Sequence, residues 1–164
     1  MVDMVYRLQD TICDAIGALD ASSYREDEWT REEGGGGRSR VFSEGNVFEK
    51  AGVNVSVVHG TLSPEAAAKM GGGHDLVGED LDFFATGLSL VLHPHNPMAP
   101  TVHANYRYFE RGEGVVEGSW WFGGGAARVG RSRRCTGACV QSRSWFCSGR
   151  SNRLCRSSAA FDHG

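Results

Sequence analysis

Ser89, His93, His103, Asn105 and Arg107 fall within one short stretch of this chain, and between them they offer a hydroxyl, two imidazoles, an amide and a permanent cation. The guanidinium of an arginine is a planar, always-charged fork suited to a bidentate carboxylate contact. Serine and asparagine fix the orientation of a ligand without adding charge. Histidine titrates near neutrality, so it can take or give a proton. Spacing decides whether these groups meet. Leu88, Leu90 and Leu92 alternate with Ser89, Val91 and His93, which is the period of a strand. Beyond a Pro-rich connection (Pro94, Pro97, Pro100), Val102, Ala104 and Tyr106 alternate with His103, Asn105 and Arg107. If the two strands pair as an antiparallel hairpin, both polar rows line one surface above an apolar layer. That surface has the character of a binding floor, although a structural polar network satisfies the same residues.

Around these strands the pattern is mixed. Val5, Leu8, Ile12, Ile16 and Leu19 recur at helical spacing over residues 2–19, with Gln9, Asp10 and Asp14 expected on the surface. An acidic polar stretch follows around Trp29, and then Gly34 to Gly37, expected as a flexible turn. No Lys-Ser/Thr follows those glycines, which argues against a phosphate loop. Arg40 to Phe42 and Val47-Phe48 flank a Ser43 to Asn46 turn and predict a hairpin. Val53 to His59 alternates with β-branched residues and predicts the next strand. Ser63-Pro64-Glu65 carries an N-cap followed by a proline at the first helical position, predicting a short helix to Met70. Gly71 to Gly73 then form a loop. Strands dominate after residue 40, so the fold class is α+β: a mainly antiparallel β-sheet flanked by helices. His59, His74 and His95 fall in expected loops, as surface residues. Trp120-Trp121-Phe122 suits sheet packing.

The run GLSLVLHPHNPMAPTVHANYRYFE, followed by WWFGGG, resembles the central signature of the oxygen-dependent coproporphyrinogen III oxidases. GGGGRSRVFSEGNVFEKAGVNVSVVHG, Gly34 to Gly60, resembles the same family's N-terminal region in the same order. The resemblance implies a broad antiparallel sheet with helices on both sides, in a homodimer of haem biosynthesis. It implies oxidative decarboxylation of two propionates of coproporphyrinogen III to vinyl groups, giving protoporphyrinogen IX, with O2 as co-substrate and no organic cofactor. Ser89, Asn105, Tyr106 and Arg107 match substrate-binding positions, and His103 matches the proton donor. His93 and His103 also match positions that hold a divalent metal in bacterial members. The two further metal histidines have no counterpart here, and Ala127 stands where the family has a substrate-contacting aspartate.

The resemblance stops at Ala126, and composition breaks at the same place. Residues 126–164 carry eight arginines and one acid, Asp162, whereas residues 1–125 are acidic overall and the whole chain sums to −3. Residues 1–125 are therefore expected to be the N-terminal part of an oxidase-like domain, incomplete relative to the family fold. Residues 126–164 are expected to be a disordered or out-of-frame tail, and the chain an inactive remnant if the missing part is essential. A nucleic-acid-binding arm is the lesser reading of the arginines, since no reader motif accompanies them. Cys135, Cys139, Cys147 and Cys155 match no common zinc spacing. No apolar run approaches the ~20 residues of a membrane span, and no hydrophobic signal segment starts the chain. A soluble, cytoplasmic protein is the resulting expectation.

Overall fold

The computed structural model describes residues 1–65, 82–112, 120–131, 138–148 and 156–158. Among these described residues one helix, α1 (Val2–Asp20), precedes eight strands: β1 (Tyr24–Thr30), β2 (Gly35–Ser43), β3 (Phe48–Thr61), β4 (Asp82–Pro94), β5 (Thr101–Arg111), β6 (Trp120–Arg131), β7 (Ala138–Ser148) and β8 (Arg156–Ser158). They lie side by side in chain order, every neighbouring pair antiparallel. The class is α+β, as expected. Among the described residues the one helix covers one face. Helix expected from Ser63 to Met70 lies outside the described residues beyond Glu65, as do Gly71 to Gly73 and His74.

Alternation along the strands sorts the chain into two faces. Phe42, Ala51, Val53, Val55 and Leu88 project from β2, β3 and β4 toward the helix and bury Val5, Cys13 and Ile16 beneath them. This is the core. The helix departs from the expected stripe: Leu19 is 64% exposed, while Gln9 and Asp20 are fully buried. Polar side chains are tolerated there because each is fully partnered. The Gln9 amide donates to the carbonyls of Arg38 and Val53 at 2.8 Å each, and its oxygen accepts from Arg38 Nε. Asp10 receives Arg38 and Arg40 at 2.7 and 2.6 Å, and Arg40 also meets Glu26 at 2.6 Å. Desolvation pulls the Arg40 guanidinium down, but hydrogen bonds with Glu26, Asp10 and Cys13 outweigh it and raise its pKa. Burial pushes the Cys13 thiol up, against the pull of Arg40.

Asp20 staples three segments at the end of the helix, where Ala21 turns the chain at φ 49°. Its carboxylate accepts from the N–H groups of Val47 and Phe48 at 2.6 and 3.0 Å and from the Ser22 hydroxyl at 2.7 Å. Burial alone would raise this carboxyl, but those donors hold it below its ordinary 3.8, with a lesser contribution from His95. Gly45 has to be glycine, since a Cβ there would lie 1.6 Å from the Asp20 carboxylate. His95, exposed as expected, also bonds the Gly45 carbonyl at 2.9 Å and ties the β4–β5 connection to the same turn.

Two other expectations change. The acidic stretch around Trp29 is the edge strand β1; its charges, which hid it from a periodicity reading, keep an exposed edge soluble. Of Gly34 to Gly37 only the first two bend with positive φ (119° and 89°), and the rest continue β2. The sheet also runs through the compositional break. Strand β6 pairs with β5 as far as Thr101↔Val129, and β7 pairs with β6 along its length.

Candidate functional site

The face away from α1 is built from the residues that the core face leaves over. Register aligns them in rows across the strands. One row reads Asp27, Ser39, Asn54, Ser89, Asn105 and Gly125 from β1 to β6. The next reads Trp29, Gly37, Ser56, Gly87, Arg107 and Gly123. Directly paired residues of antiparallel strands share a face, so Ser89, Asn105 and Arg107 meet on one surface. His103, paired with Val91, stands on the same face one row further along.

Small residues make this surface a concavity. A cavity of about 650 Å3 lies over it, lined by Ser56, Gly87, Ser89, Asn105, Arg107 and Gly123, with Val58, Ala85, Phe109 and Trp121 at one end. Gly87 is the floor beneath Arg107: an added Cβ would come 2.5 Å from the Tyr106 carbonyl and 3.1 Å from Arg107 Cγ. The apolar end is an aromatic ladder. Phe109 stacks on Trp121 at 4.4 Å between ring centroids and on Phe83 at 5.6 Å. Among the described residues no ion pair occupies Arg107, in contrast with Arg38 and Arg40. A cation, two neutral hydrogen-bonding groups and a flat aromatic wall around an open volume suit a ligand with carboxylate arms on a wide ring.

Not every expected site residue reaches this surface. Tyr106 alternates to the helix side, opposite Leu88 and Gly124, where it is 45% exposed near Met1 and Met4. Only its backbone carbonyl approaches the floor. His93 stands at the rim, its Nδ1 3.4 Å from the Thr101 hydroxyl. Both His93 and His103 are exposed. Among the described residues no group of three or more His, Cys, Asp or Glu is arranged to hold a metal ion. Two imidazoles do not make a closed metal site, so these residues do not fit the implied metal and no chemistry is routed through one.

The sequence pattern marks none of Ser56, Gly87 and Phe109 as site residues, and assigns Trp121 to sheet packing. Their signal was the strand period: Asn54 and Ser56 alternate with Val53, Val55 and Val57 of β3, and Trp121 alternates with Trp120. The Trp pair is split between faces. Trp120 joins Tyr108, Phe122 and Phe84 on the helix side, where burial and Glu110 push the Tyr108 phenol up to about 12.

Fold and floor together define an antiparallel sheet protein with a helix on one face and an open, polar and aromatic concavity on the other. Residues 1–128 match the family model described as coproporphyrinogen III oxidase. The chain is 54% identical over 128 residues to coproporphyrinogen-III oxidase 1, chloroplastic, of Arabidopsis thaliana, covering 74% of this chain and 33% of the relative. It is 51% identical over 129 residues to coproporphyrinogen-III oxidase 2, chloroplastic, of the same plant, covering 74% and 55%. The chain belongs to the coproporphyrinogen III oxidase family. It spans about a third to about half the length of these relatives. Their names place them in the chloroplast, which overturns the expectation of a cytoplasmic protein.

Proposed function

We propose that this chain supplies the substrate floor of an O2-dependent coproporphyrinogen III oxidase. Haem biosynthesis is the family's field, and the relatives' names give the substrate. The observation that carries the reading is the alignment of Ser89, Asn105 and Arg107 over bare glycine in one open cavity. In the proposed reaction two propionate arms each lose CO2, one proton and two electrons and become vinyl groups. The four electrons reduce one O2 to two waters, and four protons are consumed there. Arg107 holds a carboxylate, Ser89 and Asn105 orient the arm, and His103 handles the proton at the rim of the floor. A homodimer goes with this reading and is checked by light scattering on the purified chain.

The test is aerobic incubation of the purified chain with coproporphyrinogen III, following protoporphyrin fluorescence after chemical oxidation of the product. Turnover that disappears in His103→Ala and Arg107→Ala supports the whole reading. Binding of the tetrapyrrole without turnover leaves the floor and identifies the chain as an inactive remnant. The absence of both binding and turnover sinks the proposal. The proposed division at residue 126 is tested separately, by resequencing the gene there: a second frame that continues the family pattern makes the tail a reading-frame product.

A further inference from the structure

The floor row that contains Arg107 holds a second polar side chain. Ser56 of β3 pairs with Gly87, Gly87 pairs with Arg107, and Arg107 pairs with Gly123. Ser56 and Arg107 thus face each other across one bare residue, and Gly37 lies beyond Ser56. Strands are spaced about 4.8 Å apart, so the two backbones stand about 10 Å apart, and the close approach of Arg107 Cγ to the Gly87 Cβ position shows its side chain leaning over Gly87, toward Ser56. Both residues line the same cavity. Among the described residues, no hydrogen bond engages the Ser56 hydroxyl and no ion pair engages Arg107. A hydroxyl and a guanidinium converging over a glycine leave space for one planar carboxylate, with backbone beneath it and no Cβ to displace it.

We infer that Ser56 is a second anchor for the ligand carboxylate held by Arg107, bridging to it across Gly87. The neighbouring row is apolar (Val58, Ala85, Phe109, Trp121), so the hydrocarbon arm of that carboxylate leads onto the aromatic ladder. The hydroxyl donates to one carboxylate oxygen while the guanidinium donates to the other. This inference rests on the proposed function and adds to it a residue contributed by a strand outside the β4–β5 hairpin.

The experiment is a binding cycle on the full chain with coproporphyrin III, the stable oxidised tetra-acid, followed by its own fluorescence. Ser56→Ala is expected to weaken binding about five-fold, the loss of one hydrogen bond to a charged group, with an unchanged melting temperature. Ser56→Thr, which keeps the hydroxyl, is expected to restore binding to within about two-fold. With Arg107→Ala already present, Ser56→Ala should add little, because two residues sharing one partner are not additive. Ser56→Ala binding like the wild type, while Arg107→Ala binds weakly, overturns this inference and leaves the proposed function standing. Losses that multiply overturn the shared carboxylate. A wild-type chain that binds no coproporphyrin overturns both.

Discussion

The two faces of this sheet are made from the same strands by alternate residues, yet they are built to opposite ends. Toward α1, the strands place Phe42, Val53, Val55 and Leu88, and these are at most 1% exposed. Away from it, the positions next along the same strands are Val41, Asn54, Ser56, Gly87 and Ser89. One face uses volume to exclude water; the other gives up volume to leave room for a ligand. Their arginines differ in the same way. Arg38 and Arg40 are saturated by Asp10 and Glu26 and lie beneath Tyr6 and Tyr24 rings at 4.9 and 4.5 Å. Arg107 is left with a cavity in front of it. A paired arginine holds the protein together, and an arginine facing open space is available to something else.

Substitutions on each face should therefore separate stability from binding. Arg107→Ala is expected to lower coproporphyrin affinity about 30-fold or more while the melting temperature stays near wild type. A matching fall in melting temperature would break the distinction between the faces. Leu88→Ala, one residue from Gly87 but on the other side, is expected to cost about 2–5 kcal/mol in urea unfolding. Affinity measured well below its unfolding midpoint should change little.

Asp20→Asn probes the helix side by pH. The carboxyl is held below its ordinary 3.8 in the folded chain, so its contribution is fully present above that value and is lost as pH falls through the folded pKa. Melting curves from pH 7 to pH 2 should show the wild type losing stability more steeply below about pH 4 than Asp20→Asn, which starts lower at neutral pH. Parallel curves would mean that the staple carries no acid dependence. The smallest effect is expected at Thr86, which is 3% exposed and whose hydroxyl has no partner among the described residues. Thr86→Val should stabilise the chain by about 1 kcal/mol, read as a raised urea midpoint, and a lowered midpoint would show that the hydroxyl is satisfied.

The β4–β5 hairpin was legible because Leu88 to His93 and Val102 to Arg107 alternate without interruption, and alternation is a local property. Strand β1 was not, because Arg25 to Glu28 are all charged and leave no apolar alternation to read, and an edge strand has little apolar surface to display. Gln9 was placed on the surface for a similar reason, and nothing local marks Asp20 as buried. Residue type alone assigns an amide or a carboxylate to water, and only the Val53 carbonyl or the Val47 and Phe48 amides, far along the chain, reverse that assignment.

Period and residue type, which are written locally, determined by themselves that Asn105, Arg107 and His103 share one face of their strand, that Tyr106 takes the other side of it, that Ser89 and His93 share a face of theirs, and that the chain resembles its family as far as Ala126. Tertiary structure alone decided which strands lie beside them and in what register. Register brought Ser56 and Gly87 into line with Arg107 and left the Phe109–Trp121 stack at the end of the cavity. Strand pairing joins residues tens of positions apart, and a slip of one residue would turn every one of these side chains to the opposite face.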